Sequence, residues 1–361
     1  MKAAVIFTYI PSPYRTIVFD ELHKENHTLL QVVYMSKGDD KFQWNTEALK
    51  HDHLFWSDRS ASRNPIMLGW HIWKYLNELN PKAVITCGFT VPMLWAMMWA
   101  FIKRRKRIVN TDAWEKIEEP YSFMHKWIRK WIFPTVHAAI PVSHKGREMF
   151  EKYGVCANRI FISHYAIDND FALLFAERQK QFHIMFSGQM IERKMPFFFC
   201  DIARELKKDI PNLKVLILGS GELKDAFLAR LNEDQIDFEY PGFIQPKELH
   251  AYYASSFVFL FPTLSDSWGV VANDAMAVGT PVLTCDNAGC ANELVIDEVN
   301  GWVKPLNIND WVVAINRAIR DSEYYFQLRQ KAFEQIKEYH PKKAAEQLEK
   351  AILFVLSEGG N

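Results

Sequence analysis

Hydrophobic positions along the chain fall into two alternating kinds of segment. Short apolar runs typical of buried strands alternate with longer stretches in which apolar residues recur at helical spacing. This alternation predicts βαβ units and parallel sheets. The runs form two sets of six predicted strands, over 3–8, 29–34, 83–87, 107–110, 138–142 and 160–162, and over 182–187, 213–219, 236–240, 258–262, 281–285 and 301–304.

The two sets of strands predict two domains, which suits a length of 361 residues. We expect an N-terminal Rossmann-like domain over 1–165 and a C-terminal one over 182–340, joined by the weakly periodic, polar stretch 166–181. The amphipathic last helix, within 341–361, is a candidate to return to the N-terminal domain. The predicted fold class is α/β, with two doubly wound domains facing a central cleft, and ligands are expected at the carboxyl ends of the strands.

Charge and cysteine content narrow the choice of partner and compartment. The 43 Lys and Arg residues balance 43 Asp and Glu residues, so no overall field attracts nucleic acid and none is expected as a partner. Five scattered cysteines indicate neither a disulfide framework nor a zinc site and fit a reducing cytoplasm. The apolar stretch 91–102 is too short to span a bilayer, and the N-terminus lacks the pattern of a secretory signal.

The segment 262–282 is the most informative part of the sequence, with the pattern strand, tight loop, helix, glycine stop and strand. Asp266 or Ser267 is expected to cap a helix that opens near Trp268 and offers free N–H groups to a phosphate. Asp274, inside that helix, is expected to accept hydrogen bonds from a ribose, and Asp266 to reach a second sugar. The alternative is an ordinary cap and a solvated helix acid.

This segment resembles the acidic-x7-acidic motif of retaining glycosyltransferases of family 4, which have the two-domain GT-B architecture. Asp266 and Asp274 stand where the family commonly has Glu, and 267–269 reads Ser-Trp-Gly where it has Gly-Phe-Gly. The loop 186–194 resembles the family's Gly-Arg-Leu-x-x-x-Lys loop, with a Lys at position 194 and a Gln at 189 in place of Arg. Smaller matches extend the resemblance over about 140–361.

The resemblance implies a metal-independent enzyme, without a cofactor, that moves a sugar with retention from a UDP- or GDP-linked donor to an acceptor hydroxyl. A glycan or lipid-linked acceptor and a role in bacterial-type cell-surface glycan assembly are implied with it. A nucleotide-sugar epimerase of the same architecture, or a non-catalytic sugar-binding or membrane-associated scaffold, remains an alternative. The donor-binding residues that the resemblance implies are Gly188, Gln189, Arg193, Lys194, Gly219, Gly242, Phe243, Asp266, Ser267, Trp268, Gly269, Val270 and Asp274.

Three residues are the candidate catalytic groups. Lys194 would stabilise the leaving diphosphate, a task that metal ions perform in other transferases, and Asp266 would contact the reacting sugar. Asp112 follows a predicted N-terminal strand where several family members carry a His or Asp facing that sugar; the alternative is a helix cap. In the same half, Tyr14, Arg15 and Gly88 lie in strand-end segments and are the candidate acceptor-binding residues.

Aromatic content is the unusual feature of the composition, with 26 Phe, 12 Trp and 13 Tyr. Rings and basic residues lie together in 91–107 and 125–133. Such segments form either core helices or an interfacial surface that inserts rings and attracts anionic lipid. The second reading places the chain in the cytoplasm with peripheral contact to the cytoplasmic face of a membrane.

Overall fold

The computed structural model describes residues 2–38, 49–58 and 65–357. The chain divides into two compact units. Unit 1 consists of Met1–Ala166 with Pro341–Asn361, and unit 2 is Ile167–His340.

Unit 1 contains a six-stranded parallel sheet in the order β3-β2-β1-β4-β5-β6. All five residues of β1 are buried because helices cover both faces of the sheet. The strands are β1 Ala4–Thr8, β2 Leu30–Tyr34, β3 His53–Phe55, β4 Ala83–Cys87, β5 Lys106–Thr111 and β6 Ala138–Pro141.

Two layers of helices cover the sheet of unit 1. On one face α1 and α14 pack together over residues such as Ile6 and Val32. On the other face α2 and α3 pack over Val5 and Val84, and α6 lies farther along, over Val109. The helices are α1 Pro13–Glu25, α2 Pro65–Leu79, α3 Val91–Ile102, α4 Glu115–Glu118, α5 Phe123–Ile132, α6 His144–Lys152 and α14 Pro341–Ser357.

Unit 2 repeats the topology with a parallel sheet in the order β12-β11-β10-β7-β8-β9. Its strands are β7 Phe182–Ser187, β8 Lys214–Leu218, β9 Asp237–Gly242, β10 Ser256–Phe261, β11 Val282–Thr284 and β12 Gly301–Val303. Its helices are α7 Asn169–Leu173, α8 Pro196–Asp209, α9 Lys224–Glu233, α10 Pro246–Ala254, α11 Val270–Ala277, α12 Ile308–Arg320 and α13 Ser322–Ile336. In each unit the first and fourth strands lie side by side, so the chain reverses its winding direction there and opens a crevice at the carboxyl ends.

The predicted parallel sheets are confirmed, with one exchange of strands in unit 1. The predicted strand 160–162 is wrong, because only Ile160 forms a bridge, to Ala139. The sixth strand is instead β3, at the opposite edge of the sheet beside β2, with three residues that are exposed or partly buried. An edge strand that contains a histidine and is not buried lacks the apolar run by which strands are recognised in a sequence.

Candidate functional site

The loops that follow β7 and β10 lie side by side in unit 2, because these two strands are neighbours in the sheet. They contain the two segments that carry most of the predicted donor-binding residues. The side chain and backbone of Arg193, in the first loop, both bind the second loop: its guanidinium donates to the Ser265 carbonyl oxygen and its own carbonyl accepts from the Thr263 hydroxyl at 3.1 Å. The two loops at the winding reversal are therefore fixed to one another.

Asp266 is the centre of this assembly. Its Oδ2 accepts a hydrogen bond from Arg193 Nη1 at 2.9 Å and a second, shorter one from Lys194 Nζ. Its Oδ1 accepts from the backbone N–H of Trp268 at 3.3 Å. The Lys194 ammonium also lies over the Phe261 ring, 4.6 Å from the centroid. The structure thus brings together Arg193, Lys194 and Asp266, which the sequence separates by more than 70 residues.

The charges of this cluster favour an anionic ligand. Burial raises the pKa of Asp266, but the Lys194 ammonium and the Arg193 guanidinium outweigh burial and hold it below its ordinary value. The carboxylate is therefore ionised at neutral pH, and two cations against one anion leave a net positive charge. The Arg193 side chain is 40% exposed, so it can rotate towards a ligand without breaking buried packing contacts.

The turns around this cluster depend on glycines at two positions. Gly219, directly after β8, has φ +112°, and a Cβ there would lie 2.0 Å from the carbonyl oxygen of Gly188. Gly188 has φ +147°, and a Cβ built on it would meet no atom within 4 Å. The first glycine lets two backbones touch, and the second leaves open space beside the loop, where a ligand's phosphate can approach the backbone.

Helix α11 begins later than the sequence predicted. Gly269, with φ +98°, is its N-terminal flanking residue, so the helix starts at Val270 and neither Asp266 nor Ser267 caps it. A Cβ at Gly269 would lie 2.3 Å from the Phe261 ring. The glycine therefore allows the start of α11 to lie close to the end of β10. The Trp268 side chain is fully buried and donates to Asn273 Oδ1 at 2.9 Å, so it supports the loop from behind and offers no ring to a ligand.

Asp274 lies in the interior of unit 2, with 1% of its surface exposed. Its Oδ1 is 3.3 Å from His250 Nε2 of α10, and among the described residues its Oδ2 has no hydrogen-bond partner. Burial raises the pKa of this carboxyl group, against the smaller opposing effect of His250. A ribose can reach Asp274 only if the side chain is released from this position, so its ribose role stays a prediction.

The remaining donor-binding candidates lie at strand ends of the same sheet. Gln189 follows Gly188 in the loop after β7 and is partly buried. Gly242 ends β9 with φ +90°, and its carbonyl oxygen accepts from the Gly219 N–H at 2.9 Å. Phe243 comes next and is partly exposed. These turns are therefore neighbours of the charged cluster at one edge of one sheet.

Unit 1 has a second polar cluster, at the carboxyl ends of β4 and β5. The Arg15 guanidinium, on α1, stacks on the Tyr165 ring at 4.7 Å, and the Tyr165 hydroxyl donates to Asp112 Oδ2 at 3.0 Å. Burial lowers the pKa of Arg15, but Tyr165, Cys87 and Asp112 together hold it above its ordinary value. Asp112 does not cap α4, whose N-terminal flanking residue is Trp114, without a side-chain cap. The structure thus joins two predicted residues through a tyrosine.

The two other acceptor candidates occupy the same edge. Gly88 follows β4 with φ +101°, and a Cβ there would meet no atom within 4 Å. Tyr14, at the start of α1, is partly exposed, and its carbonyl oxygen accepts from the Ala166 N–H at 3.3 Å. Sequence reasoning missed Tyr165 and His250, because neither stands in a recognisable motif; each is identified only by the acid that it contacts.

Two classes of feature are missing from the part of the chain that the structure covers. Within residues 2–38, 49–58 and 65–357, no three His, Cys, Asp or Glu side chains come together as a candidate metal site. Over the same ranges, no helix combines the length and apolar character needed to cross a bilayer.

Comparison with known proteins places these features in a family. Residues 174–335 match the profile of the family described as glycosyl transferases group 1. D-inositol 3-phosphate glycosyltransferase of Paenarthrobacter aurescens is 32% identical over 145 residues, which are 38% of this chain and 35% of that protein. 2-Deoxystreptamine N-acetyl-D-glucosaminyltransferase of Niallia circulans is 24% identical over 60% of this chain and 61% of its own length. The chain therefore spans about a third to three fifths of the length of these curated relatives.

Solved structures agree over almost the whole chain. HepE of Anabaena in complex with UDP superposes with a TM-score of 0.78 at 14% identity, over 98% of this chain and all of the other. The lipopolysaccharide outer core galactosyltransferase WaaB has a TM-score of 0.71 at 14% identity, over 98% and 99% of the two chains. Likeness at this identity establishes the fold. Residues 174–335 thus resemble the glycosyl transferases group 1 family, and the two doubly wound sheets of the chain have the GT-B architecture.

Proposed function

We propose that this protein is a retaining glycosyltransferase that moves a hexose-type sugar from a nucleotide diphosphate sugar to an acceptor hydroxyl. The observation that carries the proposal is the cluster of Arg193, Lys194 and Asp266 at the winding reversal of unit 2. Two cations held in place beside an open glycine turn suit a diphosphate. The adjacent carboxylate is placed to accept a hydrogen bond from a hydroxyl of the sugar that the diphosphate carries.

The difficult step is departure of the nucleoside diphosphate, on which negative charge builds up. Lys194 and Arg193, together with N–H groups of the loop around Gly188, would stabilise that charge in a partly buried site. The diphosphate itself takes the proton of the acceptor hydroxyl on the face from which it leaves, so the anomeric configuration is retained and no strong protein base is needed. The protein cations replace a metal ion in this scheme, which is the basis for proposing metal independence.

The proposed donor is UDP-linked, with GDP as the alternative. HepE of Anabaena is described in complex with UDP and with UDP-glucose, which supports this choice. The proposed acceptor binds unit 1 at the cluster of Arg15, Asp112 and Tyr165, where Asp112 would contact the reacting sugar or the incoming hydroxyl.

We further propose a role in assembling a cell-surface glycan on a lipid-linked or glycan acceptor. The likeness to WaaB, described as a lipopolysaccharide outer core galactosyltransferase, supports it. A lipid-linked acceptor would bring the protein to the cytoplasmic face of a membrane, with contact through 91–107 and 125–133. Exposed rings in both segments, Phe101 at 64% and Trp131 at 64%, support that contact.

The direct test is incubation of the purified protein with a panel of UDP- and GDP-sugars, followed by measurement of free nucleoside diphosphate. We expect slow release from one donor without acceptor, because water replaces the acceptor hydroxyl, and an α-linked product from an α-linked donor when an acceptor is added. Tight donor binding without any release would favour the non-catalytic scaffold. Change of the sugar while it stays attached to the nucleotide would favour an epimerase.

A further inference from the structure

A surface cavity of about 450 Å³ lies in unit 1, at the amino end of β5. Asp112 follows the carboxyl end of the same strand, so the cavity lies at the opposite edge of the sheet from the proposed acceptor site. Two apolar side chains and four basic ones line it. They are Phe101, Ile102, Arg104, Arg105, Arg107 and His137.

Neutral groups hold two of the three arginines of this cavity. Arg107 Nη2 donates to the Thr135 carbonyl oxygen at 2.7 Å, and its guanidinium lies 5.2 Å from the centre of the Phe101 ring. Arg105 donates to Asn80 Oδ1. No carboxylate among the described residues forms an ion pair with any of the three, whereas Arg129 and Arg193 both have one. The cavity therefore concentrates positive charge without a counter-ion, and burial lowers the pKa of Arg107 accordingly.

Arg104 occupies a backbone position that favours glycine. Helix α3 ends in a Schellman motif, in which the Arg105 N–H donates to the Ala100 carbonyl oxygen at 2.7 Å and the Arg104 N–H to that of Phe101 at 3.1 Å. Arg104 is the left-handed residue of this motif, with φ +52°. A non-glycine residue is disfavoured there by sterics. A glycine at this position would therefore be accommodated without strain.

Helix α5 precedes the turn that contacts Arg107 of this cavity, and the apolar side of the helix is exposed. Phe123, Trp127 and Trp131, spaced four residues apart, are 82%, 52% and 64% exposed. The buried side of the helix carries Arg129, whose Nε lies 2.8 Å from Glu118 Oε1 in an ion pair. The helix is thus anchored by an ion pair and presents rings to the surroundings, which is the reverse of an ordinary amphipathic helix in a globular domain.

The cavity and the rings belong to one continuous stretch of structure. The turn Phe133–Thr135 follows α5 directly, and its last residue accepts the hydrogen bond from Arg107. Phe101 and Ile102 add exposed apolar surface at the edge of the cavity, 64% and 56% exposed. Apolar groups around a cationic recess complement a phospholipid, whose phosphate lies just outside its acyl chains.

We propose that this cavity binds the phosphate of an anionic phospholipid headgroup while the rings of α5 enter the membrane surface. The proposal rests on the membrane contact given under the proposed function and adds a defined headgroup site to it. It does not depend on the transfer reaction.

The test is flotation of the protein with vesicles of phosphatidylcholine alone and of phosphatidylcholine mixed with phosphatidylglycerol. The variant Arg104→Gly/Arg105→Gln removes two charges, and the glycine suits the left-handed position, so the fold is retained. Lys342→Gln/Lys343→Gln removes the same charge from α14, on the other face of the sheet, and is the matched control. Trp127→Ser removes a ring without changing charge.

We expect the arginine variant to bind anionic vesicles about 25-fold more weakly than the parent, at roughly five-fold per charge, and the lysine control to bind as the parent does. Trp127→Ser should weaken binding to both kinds of vesicle. Equal binding of the arginine variant and the parent would overturn the headgroup site while leaving membrane contact intact. Absence of vesicle binding by the parent would overturn both.

A free phosphate is the competing ligand. If the parent binds inorganic phosphate, and Arg104→Gly/Arg105→Gln loses that binding while it still binds anionic vesicles as the parent does, the cavity binds a free phosphate and the proposal is wrong. Donor hydrolysis by Arg104→Gly, measured without vesicles, should equal that of the parent. Failure of the parent in that assay would count against the transferase and not against the headgroup site.

Discussion

Asp266→Asn is the substitution that best isolates the charged cluster of unit 2. It removes the negative charge between Arg193 and Lys194 but keeps an oxygen able to accept from the Trp268 N–H. Breaking a buried ion pair by removing one partner destabilises a protein by roughly 3–5 kcal/mol. Lys194 and Asp266 are 14% and 12% exposed, whereas Arg193 is 40% exposed. Solvent screens the ion pair with Arg193, so this pair contributes less to the free energy of unfolding than the pair with Lys194. We expect a loss of about 2–3 kcal/mol.

Amide hydrogen exchange of β7 and β10 measures this loss in the unit concerned, because a chain with two units need not unfold in one step. At neutral pH the expected loss corresponds to exchange roughly 30- to 150-fold faster than in the parent, at a factor of ten per 1.36 kcal/mol. Asp225→Asn removes a carboxylate that is 92% exposed and pairs with Lys224. It should change the rates by less than about two-fold and is the control.

The effect of pH follows from the lowered pKa of Asp266. A carboxyl group whose pKa is lower in the folded than in the unfolded state stabilises the protein above its unfolded pKa, and that contribution is lost as pH falls through the folded value. The parent and Asp266→Asn should therefore differ fully at pH 5 to 8, and the difference should begin to shrink below about pH 4 and vanish only below the lowered pKa of Asp266. Equal exchange at neutral pH, or a difference independent of pH, would mean that the ion pairs of Asp266 do not stabilise unit 2.

The other predictions concern the glycine turns, the buried acid and metal. Gly219→Ala should destabilise unit 2 by about 2–4 kcal/mol, because its Cβ would lie 2.0 Å from the Gly188 carbonyl oxygen; urea unfolding measures this. Gly188→Ala meets no atom within 4 Å, but the φ of +147° strains an alanine by roughly 1–3 kcal/mol, so the variant should fold with lower stability; calorimetry on the folded variant should show at least ten-fold weaker binding of UDP, and unchanged affinity would remove the loop from the donor site. Asp274→Asn should gain stability relative to the parent as pH rises above about 4, because burial penalises the ionised parent; unchanged UDP affinity would end its ribose role. Turnover should persist in excess EDTA, and a loss restored by manganese would contradict metal independence.

The sequence predicted best the features that depend on local pattern. All six strands of unit 2 are where apolar runs between turns placed them. The edge strand His53–Phe55 has no such run, and the predicted strand 160–162 is apolar but forms a single bridge. Pattern identifies what is buried on both faces of a sheet and cannot distinguish an edge strand from a buried loop.

The candidate site was predicted as a set of residues but not as a set of contacts. Motif spacing indicated that Arg193, Lys194 and Asp266 belong to one site, and parallel topology explains why loops so far apart in the chain meet. The pairing of Asp274 with His250 could not be predicted, because it depends on how closely α10 packs against α11. The sequence predicted that Asp274 contacts a ligand. In the structure its side chain, which is shorter than the Glu that the family commonly has there, is buried inside unit 2.

Lys194 is the residue that we propose stabilises the diphosphate as it leaves the donor. The measurement that tests it most directly is kcat for nucleoside diphosphate release by Lys194→Met, compared with the parent and with Lys208→Met, which changes an exposed lysine of α8. We predict at least a hundred-fold lower kcat for Lys194→Met and an unchanged kcat for Lys208→Met. An unchanged kcat for Lys194→Met, with the variant folded, would contradict the account.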